Sequence, residues 1–332
     1  MNRRRSRDVS TGMMSTDTMR ALRTRNVGHR SVALWVVFGY LLVTLIPAWE
    51  AAEVGSGKAI SILLLHVTGC AIVALLAIGD RSKPDRPWIW RLLRDWTPLA
   101  AVPALYAELP DLISGVGSRL HDELVQRWEA ALFGASPAHV AAGRWPWTAL
   151  SELLHVGYLS YYAIIYVPPL WLYLRNERRA FEVTITALAI TFTACFTVFV
   201  FFPVAGPRYL WSAPPGIPDG PVRRLALMIL AAGSSKGAAF PSSHVAVAVV
   251  QSILMLHHHR RAGLLISGAS LLLALGAVYG GFHYGIDVLV GGATGAVIAS
   301  AVALRSRAAH AAETDRSTPA VPQAVVADRA SR

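Results

Sequence analysis

An all-α, polytopic membrane helical bundle of about eight transmembrane helices is the fold class this sequence calls for. Of its 332 residues 54% are hydrophobic and only 15% charged, and the mean hydropathy is +0.44, which ordinary soluble domains do not approach. Apolar runs recur that are long enough to cross a bilayer core of about 30 Å, which takes roughly 20 residues per helix. The arginines gather in alternate connecting segments, as they do in a protein oriented by the positive-inside rule.

Taken in order, residues 1–30 are rich in Arg, Ser and Thr and are expected to form a disordered basic N-terminus. They lack a cleavable-signal layout, because the apolar run that follows is long and has no convincing small-residue cleavage site. Spans are expected at 31–49 and 59–79, then at a weaker segment, 96–114, that contains Pro98, Pro103 and Glu108. That segment is counted because the loop charges then alternate correctly. Five more apolar runs follow at 150–173, 180–203, 243–258, 262–281 and 286–304, and a disordered tail is expected from 305 to 332.

With eight spans, the basic segments at 1–30, 81–94, Arg175 to Arg179, Arg260–Arg261 and Arg305–Arg307 share one side, which is then cytoplasmic and holds both termini. The net charge of +11 is therefore a topology signal, and no nucleic-acid partner is expected. Loops 50–58, 115–149, 204–242 and 282–285 fall on the opposite, extracytoplasmic side. Within the second, "SRLHDELVQRWEAALFGASP" spaces Leu120, Leu124, Trp128 and Leu132 as an amphipathic helix lying at the interface, and Trp145 and Trp147 follow as an aromatic belt. The two cysteines, Cys70 and Cys195, sit inside apolar runs, so neither a disulfide nor a thiolate metal site is expected.

Three outer-face segments carry chemistry: "FFPVAGPRYLW" (201–211), "AAFPSSHVAVAVV" (238–250) and "VYGGFHYGIDVLVGG" (278–292). His283 and Asp287 are four residues apart. If the last helix begins near Phe282 they share a face, and the carboxylate accepts the imidazole N–H, which suits His283 as nucleophile or general base. His244 is the complementary acid. Ser242 and Ser243 supply amides at a helix N-terminus, and Arg208, with Lys236, supplies positive charge for a phosphate. Together these groups suit phosphoryl transfer through a phosphohistidine, and their membrane setting suits a lipid phosphate as substrate.

At these residues the sequence resembles the phosphatidic acid phosphatase type 2 superfamily. Its signatures P-S-G-H and S-R-x5-H-x3-D correspond to 241–244 and 276–287, while "LFGASP" and "GPRY" resemble the branch containing inositol phosphorylceramide synthases and bacterial relatives. The resemblance implies that His283 attacks phosphorus, Asp287 orients it and His244 protonates the leaving oxygen. It further implies a six-helix catalytic domain at 96–304, with 31–95 as two additional helices and a cytoplasmic loop, in a bacterial plasma membrane. Ser243 replaces the signature glycine, Gly276 and Ala277 replace the Ser-Arg pair, and K-x6-R-P is not matched at 201–211. Arg208 and Lys236 then have to carry the phosphate charge.

No carboxylate-rich Mg²⁺ motif is present, and the His257-His258-His259 run lies beside arginines on the cytoplasmic side, so no metal and no cofactor is expected. Glu152 and His155, nearly one turn apart, are candidates for substrate contact, as are His121 and Asp122. Three readings stay open: a metal-independent lipid phosphatase, an inositolphosphotransferase-like enzyme passing a phospho-headgroup to a lipid alcohol, and a proton-coupled transporter. The ionisable groups cluster at helix ends on one side, which weighs against the last.

Overall fold

The computed structural model describes residues 32–53, 59–82, 87–211 and 219–317. The expected basic N-terminus and residues 318–332 of the expected tail lie outside the described residues. The first helices are α1 (Val32–Val43), α2 (Leu45–Glu53), α3 (Ala59–Ser82), α4 (Trp88–Ala100), α5 (Val102–Ala107), α6 (Leu109–Val116), α7 (Asp122–Phe133) and α8 (Pro137–Arg144). They are followed by α9 (Thr148–Leu159), α10 (Tyr161–Leu174), α11 (Arg178–Phe201), α12 (Pro207–Leu210), α13 (Pro221–Gly233), α14 (Ser243–His258), α15 (Arg260–Tyr279) and α16 (Gly285–Ser317). Among the described residues the only extended pairing is an isolated parallel bridge between Val204 and Ala238.

Among the described residues five segments are long and apolar enough to cross a membrane: Val32–Glu53, Ile60–Gly79, Arg178–Phe201, Arg260–Tyr279 and Gly285–Ala312. Two bent pairs, α4–α5 with α6 (57°) and α9 with α10 (42°), bring the number to seven. The eighth expected segment is α14, whose 16 residues make it a short apolar helix. Both bends have local causes. Pro110 stands in the first turn of α6, where its ring and missing N–H interrupt the helix ladder. At the other bend the Ser160 hydroxyl donates to the Gly157 carbonyl at 2.6 Å, competing with the backbone ladder.

The chain is an integral membrane protein, and its packing shows why its outside is apolar. Leu64, Leu75, Leu265 and Val297 are more than half exposed, as residues that face lipid are. The core centres on α11, whose Phe181, Phe192, Phe196 and Phe199 are fully buried. At the break after α5, Glu108 is buried with its carboxylate 3.6 Å from Nδ1 of buried His66 on α3.

One expectation is corrected. The last helix does not give way to a tail at 305 but continues to Ser317, because Ala308, Ala309, Ala311 and Ala312 are strong helix formers. Close packing of α16 on α14 positions the site. A Cβ on Gly291 would sit 2.4 Å from the Ser242 carbonyl oxygen, and one on Gly295 would sit 2.2 Å from that of Ala246. Only glycine permits this approach, in the small-xxx-small manner of membrane helices.

Candidate active site

The segments 201–211, 238–250 and 278–292 converge on the backbone of residues 237–239. Val204 N–H donates to the Gly237 carbonyl and Ala239 N–H to the Val204 carbonyl, both at 3.0 Å, which joins the 201–211 segment to the approach of α14. From the other side, His283 Nδ1 lies 3.0 Å from the Ala239 carbonyl oxygen. Gly281, at φ +69°, takes the left-handed conformation that turns the chain between α15 and α16, and the amides of Phe282 and His283 then both donate to the Ala277 carbonyl.

This places His283 in the turn, two residues before α16 begins, and corrects the expectation of a shared helical face. Its nearest acceptor is the Ala239 carbonyl, while Asp287 Oδ2 stands 3.4 Å from the same ring nitrogen and accepts the Tyr284 N–H at 2.8 Å. Both neighbours of Nδ1 can only accept. Nδ1 is therefore the donor of the ring, and in its neutral form the lone pair lies on Nε2. Asp287 is fully buried, and its Oδ1 has no partner among the described residues.

His244 stands in the first turn of α14, with its ring centre 5.6 Å from that of His283. Tyr161 and Tyr158 pack on it at 4.1 and 5.5 Å, and its Nδ1 is buried without a partner among the described residues. Ser242 is the helix cap: its hydroxyl accepts from Val245 N–H at 3.4 Å, and its own N–H donates to the Asp287 carbonyl at 3.0 Å. Ser242 and Ser243 are both buried.

Carboxylates bound to backbone amides hold the frame: Asp122 and Glu152, expected as substrate contacts, are helix and loop anchors, and Glu129 was not singled out in the sequence. Glu129 accepts the N–H of Gly285 (3.0 Å) and of Ile286 (2.8 Å), capping the helix that bears Asp287. Asp122 accepts those of Ala205 and Gly206 at 2.8 and 2.9 Å, immediately before Arg208, and also the Tyr284 hydroxyl at 3.2 Å. Burial raises the Tyr284 phenol above its ordinary range, so it remains a donor. Glu152 accepts the amides of Val222 and Arg223 and caps α13. Helix α7 thus turns Asp122 and Glu129 inward beside buried Val125 and leaves Trp128 and Leu132 exposed.

Because Glu129 satisfies two amides, Glu129→Ala is expected to cost about 1–3 kcal/mol for each amide left unpaired. Thermal unfolding in detergent should show a clear loss of stability for Glu129→Ala and a smaller one for Glu129→Gln, which keeps one acceptor oxygen. Equal stability of Glu129→Ala and the unaltered protein would contradict the capping role.

Two cavities adjoin these segments. One, of about 470 Å³, is lined by Tyr106, Tyr158, Tyr161, Tyr162 and Ser234 and reaches His244. The other, of about 90 Å³, is lined by Arg208, Arg223, His139 and Trp211 and by Gly280 to Phe282. Arg208 ties them together, since its Nη1 donates to the Ser234 hydroxyl at 3.1 Å. Lys236 is exposed and lines neither. His121 stacks on Phe202 at 4.1 Å, and His155 Nδ1 lies 2.6 Å from the Ser151 carbonyl oxygen. At the other end of the molecule His259 Nε2 lies 2.6 Å from Glu177, whose carboxyl Arg175 and His259 hold below the usual range.

A family model described as the PAP2 superfamily matches residues 123–302, from the start of α7 to near the end of the apolar part of α16. No curated protein and no solved structure matches the chain.

Proposed function

The chain belongs to the PAP2 superfamily of phosphatases and phosphotransferases, and from that premise we propose that it hydrolyses a lipid phosphate through a phosphohistidine at His283. The observation that carries this reading is the pairing of a histidine whose Nδ1 faces two acceptors with a second histidine 5.6 Å away, at the end of an apolar cavity.

His283 Nε2 attacks phosphorus while the bond from phosphorus to the lipid alcohol breaks. The proton on His244 passes to the departing oxygen, so no free alkoxide forms. Water then attacks the phosphohistidine and gives a proton to His244, and phosphate leaves as Nε2 regains its lone pair. Asp287 and the Ala239 carbonyl stabilise the positive charge that His283 carries while phosphorylated. Arg208, a fixed cation with forked donors, holds the phosphate oxygens. Incubating the purified protein with a panel of lipid phosphates should release inorganic phosphate. Release of none, across phosphomonoesters and diphosphates, would contradict the reading.

A second reading follows from the tyrosine-lined cavity, which has room for an alcohol as well as for the leaving chain. An alcohol acceptor there in place of water would make the enzyme a phosphotransferase with the same first step. A new phospholipid in place of free phosphate would identify it.

The loop charges support an extracytoplasmic site, in which case the substrate would be a phosphate on the outer leaflet. In a background lacking Cys70 and Cys195, Arg224→Cys should react with a membrane-impermeant maleimide in sealed cells, and Arg261→Cys only after lysis. The opposite labelling would invert the orientation.

A further inference from the structure

The signature positions that would supply an additional arginine hold Gly276 and Ala277, leaving a second cation for the phosphate to be found elsewhere. The smaller cavity contains one. Arg223, in the first turn of α13, lines it together with Arg208, while His139 and Trp211 complete the polar wall and Gly280 to Phe282 form the floor just before His283. No carboxylate lines this cavity among the described residues. The Arg223 side chain is 12% exposed, and its Nη1 donates to Asp219 at 3.1 Å, an exposed residue outside the lining.

Helix α13 is anchored so as to hold Arg223 there. Glu152 binds the Val222 and Arg223 amides at its start, and at its end the Ser234 hydroxyl meets Arg208 Nη1 (3.1 Å) and the Tyr209 hydroxyl (2.7 Å). Two guanidinium groups on separately braced segments therefore line one small concavity, and forked donors of this kind match phosphate oxygens.

We propose that this cavity seats the phosphate of the substrate, that Arg223 is its second cation, and that the two cations together select a phosphomonoester. This rests on the catalytic reading above and narrows it. A volume of about 90 Å³ is about three waters' share of liquid. It admits a phosphoryl group, and two guanidinium groups match the dianion of a phosphomonoester better than the single charge of a diester. The larger cavity, beside His244, then takes the leaving chain. Arg223 replaces the expected Lys236 as partner of Arg208.

The test is equilibrium binding to the full-length protein in detergent, with three probes: inorganic phosphate, a short-chain phosphatidic acid and a short-chain phosphatidylinositol. Phosphate and the monoester should compete for one site, Arg223→Gln should weaken both about tenfold, Lys236→Ala should change neither, and the diester should bind much more weakly. Should Arg223→Gln fail to fold, Asp219→Asn carries the test. It frees Arg223 from its ion pair and should tighten phosphate binding, whereas unchanged or weaker binding would overturn the assignment. Wild-type phosphate affinity in Arg223→Gln, or diester affinity equal to the monoester's, would overturn it too. Binding is read without turnover. A failure of the catalytic reading would show as absent hydrolysis with phosphate binding intact, and a failure of this assignment as binding that ignores Arg223.

Discussion

His283→Ala is expected to lower turnover about a thousandfold or more in a protein that still folds, since removing a nucleophile removes the pathway and not just one contact. The histidine lies in a turn whose backbone is held by the Ala277 carbonyl and by Glu129 at the helix start, so the turn keeps its shape, and the cost to stability is about 1–3 kcal/mol for each buried acceptor, the Ala239 carbonyl and Asp287, left without the ring. Activity of the unaltered protein should survive EDTA, because nucleophile, acid and phosphate cations are all side chains of the chain itself. Loss of activity in EDTA with recovery on adding Mg²⁺ would show a different mechanism. Retention of more than about a tenth of the turnover in His283→Ala would reassign the nucleophile.

The second large effect separates the two histidines by leaving group. His244→Ala should cost about a hundredfold to ten-thousandfold on an alkyl lipid phosphate, the usual worth of general acid–base catalysis. It should recover most of that rate on an activated aryl phosphate, whose leaving oxygen departs without a proton. His283→Ala should be inactive on both. The prediction follows from placement: His244 borders the larger apolar cavity, where the leaving chain belongs, and His283 does not line it. Equal losses on the two substrates for His244→Ala would remove it from the proton-transfer role.

Much of this was legible in the chain. Apolar runs marked the membrane segments because a bilayer core demands length and hydropathy, and both can be read directly from sequence. The convergence of 201–211, 238–250 and 278–292 was legible through the paired histidine motifs. What escaped has a physical reason in each case. Asp122 and Glu129 sit on the polar face of an amphipathic segment, and in a soluble protein that face points to water. Beside lipid Trp128 and Leu132 turn outward, and the buried acids find most of their partners among backbone amides, with the Tyr284 hydroxyl added for Asp122 and the Ser136 hydroxyl for Glu129. Nothing local in "PVRRLALMILAAG" tells that Arg223 and not Arg224 faces a cavity, since that is decided by the Glu152 cap some 70 residues away. The carbonyl of Ala239 as the partner of His283 was equally hidden, because a backbone acceptor leaves no mark in side-chain spacing.

The central claim is a covalent intermediate on His283, and trapping it tests the claim most directly. Purified protein is mixed with a lipid phosphate radiolabelled in its phosphoryl group, quenched in alkali within the first turnover and digested. The account predicts label on the peptide containing His283, stable to alkali and lost in mild acid as a phosphohistidine is, with increased labelling when His244→Ala slows breakdown more than formation on an activated substrate. Rapid turnover with no label on any peptide, or label on a residue other than His283, would contradict it.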